Sequence, residues 1–207
     1  DVAIESYDSV DKELALPMAR ENEAYGVKRF SLVTAGRSLT EQQIDSFGDL
    51  FRRVAETTSH SLCASMGFLT REKAEQLKSF GVSRYHCNLE ACRSFFPKVC
   101  TTHTWEEKVE TIKTAQAVGM EVCSGGIIGM GETLDQRLEL AFELRELGIL
   151  SIPINILNPI PNTPLANVKP LEINEILTTV AMFRFINPNA VIRLAGGRGL
   201  MGDRQKK

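Results

Sequence analysis

The run MEVCSGGIIGMGET, Met120–Thr133, decides how this chain folds. From Met120 to Met130 it is apolar and glycine-rich. Gly119 precedes it and Thr133 can cap a helix after it, which predicts a buried strand leading directly into a helix. Thr133 and Gln136 have capping-box spacing, Leu138, Ala141 and Leu144 follow at helical spacing, and Gly148 is the stop.

Outward from this unit the pattern repeats. Downstream, Ile149–Leu157 reads as a strand, Leu171–Ile186 as a helix and Ala190–Leu194 as a strand. Upstream, strands are expected at Val27–Ala35, His60–Met66 and Val82–Glu90. Thr40 with Gln43, Thr70, and Thr104 with Glu107 open the helices between, and Gly81 and Gly119 stop two of them. Ser9–Tyr25 also reads as helical, with Pro17 either kinking it or marking its true first turn. Pro159, Pro161 and Pro164 make Asn158–Pro164 a loop.

Six strands alternating with helices predict parallel α/β architecture. An open doubly wound sheet and a (β/α)8 barrel both alternate this way. A full barrel takes eight units and typically ~250 residues. Six units in 207 residues therefore predict an incomplete (β/α)8 TIM-type barrel, with residues 1–207 as a single partial domain.

The bulk composition excludes several functional classes. Hydrophobic content of 43% and charged content of 24% are ordinary for a globular chain that buries a core. A net charge of −2 gives no basic excess for nucleic acid. No apolar run reaches the ~20 residues that span a bilayer. The polar, acidic start DVAIESYDSV is no secretory signal, so a cytoplasmic location is expected. Five cysteines, an odd number without any CxxC pair, argue against a disulfide framework and a zinc knuckle. Taken singly, each reads first as a packed, reduced thiol.

In a parallel barrel the C-terminal ends of the strands form the functional mouth. Polar residues collect there: Cys63 on the second strand, Asn88 and Glu90 at the end of the third, Cys123 before Ser124, Gly125 and Gly126, Asn155 on the fifth, and Arg193 on the last. Asn88 and Glu90 share a face of a regular strand, with Cys87 on the other. Each has a plainer reading: the amides could satisfy backbone groups, Glu90 could pair with an Arg, and the glycines could serve turns. Two thiols, two amides, a carboxylate and a guanidinium at one end point instead to a site, and thiolates are the usual iron–sulfur ligands. His60, His86 and His103 form no evident acid–base constellation.

VCSGGIIGMGET (Val122–Thr133), PINILNPIPNTPL (Pro153–Leu165) and VIRLAGGR (Val191–Arg198) strongly resemble the corresponding runs of biotin synthases, which are radical S-adenosylmethionine (SAM) enzymes. YHCNLE (Tyr85–Glu90) and CTTHT (Cys100–Thr104) resemble them more loosely, and the likeness runs from about Val27 to Met201. The resemblance implies a radical SAM barrel carrying SAM, a [4Fe–4S] cluster and an auxiliary iron–sulfur cluster, [2Fe–2S] or a variant. The implied reaction inserts sulfur from the auxiliary cluster into dethiobiotin to give biotin. It implies Cys63, Cys123 and Arg193 as auxiliary-cluster ligands, Asn88 and Asn155 near the ureido group of dethiobiotin, and Asn88 and Glu90 near the SAM ribose. A homodimer and an electron donor such as flavodoxin or ferredoxin are implied too. Arg is an unusual ligand, because its guanidinium has no acceptor lone pair until it loses a proton.

Two departures stand out. The CxxxCxxC motif that holds the [4Fe–4S] cluster does not occur in these 207 residues. The resemblance puts it upstream of Asp1, so this chain by itself is expected not to cleave SAM, and reads as a fragment or a degenerate relative. Second, better-known biotin synthases carry a third auxiliary-cluster cysteine where this chain has Ser31. Cys87, Cys92 and Cys100 are further thiols that could serve a differently built cluster, or could simply pack. The alternatives are another radical SAM enzyme of the same subgroup, hydrogenase-maturase-like or methylornithine-synthase-like, and a non-catalytic metal- or ligand-binding barrel.

Overall fold

The computed structural model describes residues 12–206. In order, its elements are α1 (Lys12–Ala24), β1 (Arg29–Val33), α2 (Glu41–Thr57), β2 (Ser61–Ser65), α3 (Arg71–Ser79), β3 (Val82–His86), α4 (Phe96–Val99) and α5 (Trp105–Ala117). Then follow β4 (Glu121–Cys123), β5 (Gly126–Ile128), α6 (Leu134–Glu146), β6 (Ser151–Ile156), α7 (Ile173–Ile186), β7 (Val191–Leu194) and a closing 3-10 stretch, Arg198–Lys206. The class is α/β with a parallel, unclosed sheet, as the alternation predicts. The short α4 and the 3-10 stretch have no counterpart in the sequence reading. Of the expected opening helix, Ser9–Asp11 lie outside the described residues, and Pro17 falls inside α1 rather than in its first turn.

The chain divides into two compact units. One holds residues 12–87 with Val109–Val122. Here β1 pairs with β2 and β2 with β3, and Ser31 stands opposite Cys63. The capping box of Thr40 and Gln43 forms, and α2 buries Ile44, Leu50, Phe51 and Val54. Thr70 caps α3, which buries Ala74 and Leu77. Tyr85 is wholly buried. Its hydroxyl donates to the Gly67 carbonyl (2.7 Å) and accepts from the Met66 N–H (3.1 Å). Burial pushes its pKa far above the ordinary tyrosine value, so the phenol stays a neutral donor.

The other unit holds Asn88–Lys108 and residues 123–206. The strand expected over Met120–Met130 is broken into β4 and β5. Cys123 lies opposite Ser151 and Gly126 opposite Ile154. The offset between partners is the same on both sides of the gap, so β4 and β5 are one strand interrupted at Ser124 and Gly125. The cause lies on the facing strand: Pro153 sits at the gap and has no N–H to give to the ladder. On its other side β6 pairs with β7, with Pro153 opposite Arg193.

The strand expected over Val82–Glu90 ends at His86. Glu90 has φ 67°, left-handed backbone that cannot continue a strand. Since pairing already stops at His86, Asn88 and Glu90 both lie just past the strand. Glu90 still touches β5: its N–H donates to Gly125 O (3.2 Å) and its carbonyl accepts from Ile127 N (2.8 Å). On α6 the buried face is Arg137, Leu140, Ala141 and Leu144, while Leu138 is only half-buried. Among the described residues no helix is long and apolar enough to cross a membrane.

Candidate functional site

The break between β4 and β5 is the centre of a polar cluster. Register along β4, β6 and β7 brings Cys123, Ser151 and Arg193 together. The Ser151 hydroxyl donates to Cys123 Sγ (3.4 Å), and Arg193 donates through Nη2 to the same sulfur (3.4 Å) and through Nη1 to Ser151 Oγ (3.2 Å). Cys123 is only 2% exposed. A hydroxyl and a guanidinium aimed at one buried sulfur stabilise negative charge on it.

The two amides converge on the adjacent glycines. Asn88 Oδ1 accepts from Gly125 N (3.0 Å). Asn155 Nδ2 donates to Gly126 O (3.3 Å), and its Oδ1 accepts from Gly196 N (2.8 Å). Both amides thus hold backbone, and the amide N–H groups of Asn88 have no hydrogen-bond partner among the described residues. Glycine is required at both positions: a Cβ on Gly125 would strike the Pro153 carbonyl, and one on Gly126 would lie 2.6 Å from Glu90 O. The close approach of neighbouring backbone at Pro153 and Glu90, not turn-making, explains this glycine pair.

Beyond β5 the loop Gly129–Thr133 is fixed by Glu132, whose carboxylate accepts from Gly129 N and Met130 N (both 2.7 Å) and from Arg137 Nε (2.6 Å). Arg137 also reaches Glu175 on α7 (2.8 Å). The side chains of Arg137 and Glu132 are 4% and 6% exposed. The sequence does not mark this network: Glu132 and Arg137 are five residues apart, outside the i, i+3 and i, i+4 pair spacings, and Glu175 lies 38 residues beyond Arg137.

Cys63 belongs to the other unit, buried and opposite the exposed Ser31. Cys87 and Cys92 are buried, and burial pushes the Cys92 thiol up. Cys100 differs: it is half-buried, with Sγ 3.5 Å from His103 Nδ1 and 3.6 Å from Thr102 Oγ1. The histidines were expected to form no constellation, yet His103 is paired with this thiol. The i, i+3 spacing in CTTH was the available signal.

The arrangement suits an iron–sulfur ligand set in two respects. A soft sulfur donor already stands against the expected guanidinium ligand. Beside it, the hydroxyl of the wholly buried Ser124 has no partner, as a side chain awaiting a polar ligand would. Among the described residues no three His, Cys, Asp or Glu side chains gather at one point.

Comparison with known proteins agrees with this layout. The model of the radical SAM superfamily matches residues 3–144, and that of the biotin and thiamin synthesis associated domain matches residues 153–207. A biotin synthase of Desulfotalea psychrophila is 57% identical over 204 residues, covering 99% of this chain and 61% of the relative. A biotin synthase of Acetivibrio thermocellus is 48% identical over 207 residues, covering 100% and 65%. This chain therefore spans less than two thirds of the length of these relatives. Among solved structures, a methylornithine synthase superposes with TM-score 0.84 at 16% identity, covering 96% of this chain and 60% of that one. The [FeFe]-hydrogenase maturase HydG of Carboxydothermus hydrogenoformans gives TM-score 0.76 at 16% identity, covering 95% and 49%. At such identities these two speak for the fold alone. A superfamily model covering most of the chain, on a parallel α/β sheet with a buried thiol among polar groups, settles one point: this chain belongs to the radical SAM superfamily.

Proposed function

We propose that this chain is part of an enzyme that converts dethiobiotin to biotin by inserting sulfur. The observation that carries the reading is the contact of Arg193 with the buried Cys123, since a guanidinium directed at a thiol deep in the sheet is the ligand pair the resemblance implies. Identity of 48–57% to biotin synthases supports it. When bound, SAM with its [4Fe–4S] cluster supplies the radical chemistry and the auxiliary cluster supplies the sulfur.

In this reading Cys63, Cys123 and Arg193 hold the auxiliary cluster. Ser151 orients Arg193 and Cys123 by its two hydrogen bonds. Asn88 and Asn155 bind the ureido group: the uncommitted N–H groups of Asn88 suit the ureido carbonyl, and Gly125–Gly126 fix both amides on one stretch of backbone. Asn88 and Glu90 bind the SAM ribose, Glu90 from a left-handed backbone position. Burial of Cys123 keeps water from the sulfur. A homodimer, a flavodoxin- or ferredoxin-type reductant and a cytoplasmic location belong to the same proposal.

The test is anaerobic reconstitution of the full-length gene product with iron and sulfide, followed by an assay for biotin from dethiobiotin. Cys123→Ala and Arg193→Met should each remove biotin formation or sharply reduce it, and should change the auxiliary-cluster Mössbauer signal while SAM cleavage persists. Full biotin yield from Cys123→Ala, or SAM cleavage with no biotin from the unaltered protein, would overturn the reading.

A further inference from the structure

Cys100 lies apart from the other thiols in the loop between α4 and α5. Its side chain borders a solvent-open cavity of about 530 Å³ whose walls include Arg93, Phe96, His103, Trp105, Glu106 and Glu107. The backbone N–H of Cys100 donates to Phe96 O (3.0 Å), which closes α4. His103 is held in place on two sides: Thr102 Oγ1 lies 3.0 Å from its Nδ1, and the Phe96 ring packs edge-on against it at 5.6 Å. The imidazole therefore stays within reach of the sulfur, at 3.5 Å.

Three features distinguish this thiol from Cys63, Cys87, Cys92 and Cys123. It is reachable from solvent, whereas those four are buried. It has an imidazole beside it that can take its proton. Its ionisation is also favoured. Partial burial pushes the thiol up, but hydrogen bonds from Thr102 and the His103 backbone, with the charge of Lys108, outweigh that and hold it below the ordinary cysteine range. Cys92, eight residues earlier, is shifted the opposite way by burial.

We propose that Cys100 and His103 form a thiol-exchange site at which the protein accepts a small amino-acid-derived thiol as a mixed disulfide. The volume of the cavity suits a group of amino-acid to tripeptide size, and its Arg93, Glu106 and Glu107 side chains offer charges of both signs to a zwitterionic one. The chemistry balances without a further reactant. His103 takes the thiol proton, and the Cys100 sulfur attacks one sulfur of a small disulfide R–S–S–R. The S–S bond breaks, its electron pair leaves on the released R–S⁻, and the proton passes to that thiolate. Cys100 is oxidised to Cys100–S–S–R while one equivalent of R–SH is produced.

The probe is oxidised glutathione or cystine, added under argon to the full-length, iron–sulfur-reconstituted gene product. The reaction is quenched with iodoacetamide, and the adduct at each cysteine is read by peptide mass spectrometry. Cys100 should form its mixed disulfide at least about tenfold faster than any other cysteine. His103→Gln should slow it about fivefold at unchanged thermal stability, because the thiol then lacks its proton acceptor. Cys100→Ser should abolish the fast adduct without altering the buried thiols. Equal rates at all cysteines would overturn the proposal, as would a His103→Gln rate equal to the parent. So would a Cys100 that reacts only in cluster-free protein, which would make it an iron ligand.

Discussion

Replacing Arg137 by Met tests the ion network that anchors the glycine loop. Met keeps the aliphatic length of the side chain and removes the charge. The change strips Glu132 of its 2.6 Å partner while leaving its carboxylate 6% exposed, and it also breaks the 2.8 Å link to Glu175. Removing one member of a buried pair costs about 3–5 kcal/mol, chiefly because the other charge stays buried. Glu132 retains its hydrogen bonds from Gly129 N and Met130 N, so the lower end of that range applies. A loss of about 3 kcal/mol lowers the folded-to-unfolded ratio by about two orders of magnitude. Urea and thermal unfolding of the full-length protein, followed by circular dichroism, would measure it. The double variant Arg137→Met/Glu132→Gln removes the stranded charge and should lose less than the sum of the two single changes. Arg71→Met, which breaks an exposed i, i+4 pair with Glu75, is the control and should cost under about 0.5 kcal/mol. A loss below about 1 kcal/mol for Arg137→Met, or strict additivity in the cycle, would refute the argument.

Three further changes have definite expected outcomes. Tyr85→Phe leaves Met66 N and Gly67 O without their buried partner and should cost about 1–3 kcal/mol by urea titration. Burial raises the Glu143 carboxyl to about 7, against its hydrogen bond from the Arg93 N–H, with Glu139 and Glu146 adding to the rise. The folded pKa lies above the unfolded one, so this group's contribution is full below the unfolded value and is lost as pH rises through about 7. The stability difference between parent and Glu143→Gln should therefore shift against the parent from pH 5 to pH 8, which urea midpoints across that range would show. Gly125→Ala drives a Cβ into the Pro153 carbonyl and should cost about 3 kcal/mol or more, whereas Gly119→Ala meets open space and should cost only the left-handed strain of about 1–2 kcal/mol.

Local features were legible in the sequence. The capping boxes of Thr40 with Gln43, Thr104 with Glu107 and Thr133 with Gln136 all form, because each involves groups three residues apart. Strand and helix alternation followed for the same reason: burial period is written along the chain. Features that depend on a partner strand were not legible. The gap at Ser124–Gly125 is imposed by Pro153, and β3 stops at His86, short of Asn88 and of the left-handed Glu90. The polar residues at strand ends were read as a site, and Cys123 with Arg193, and Asn88 with Asn155, do come together. That Ser151 joins the first pair, and that the glycine backbone joins the second, depends on register, which the amino-acid order does not display.

Proline in β6 has one more effect. In a parallel ladder the rung missing at Pro153 is the one that would end on the carbonyl of Ser124, the residue next to Cys123. Nearly anywhere else in a sheet interior that oxygen would be consumed by its neighbour. Here a tertiary amide nitrogen, which carries no hydrogen, keeps it unclaimed, next to a hydroxyl that is likewise unclaimed. β6 thus forgoes roughly 1 kcal/mol of stitching, and in return two oxygens of the buried Ser124, beside Cys123, are left able to accept a hydrogen bond.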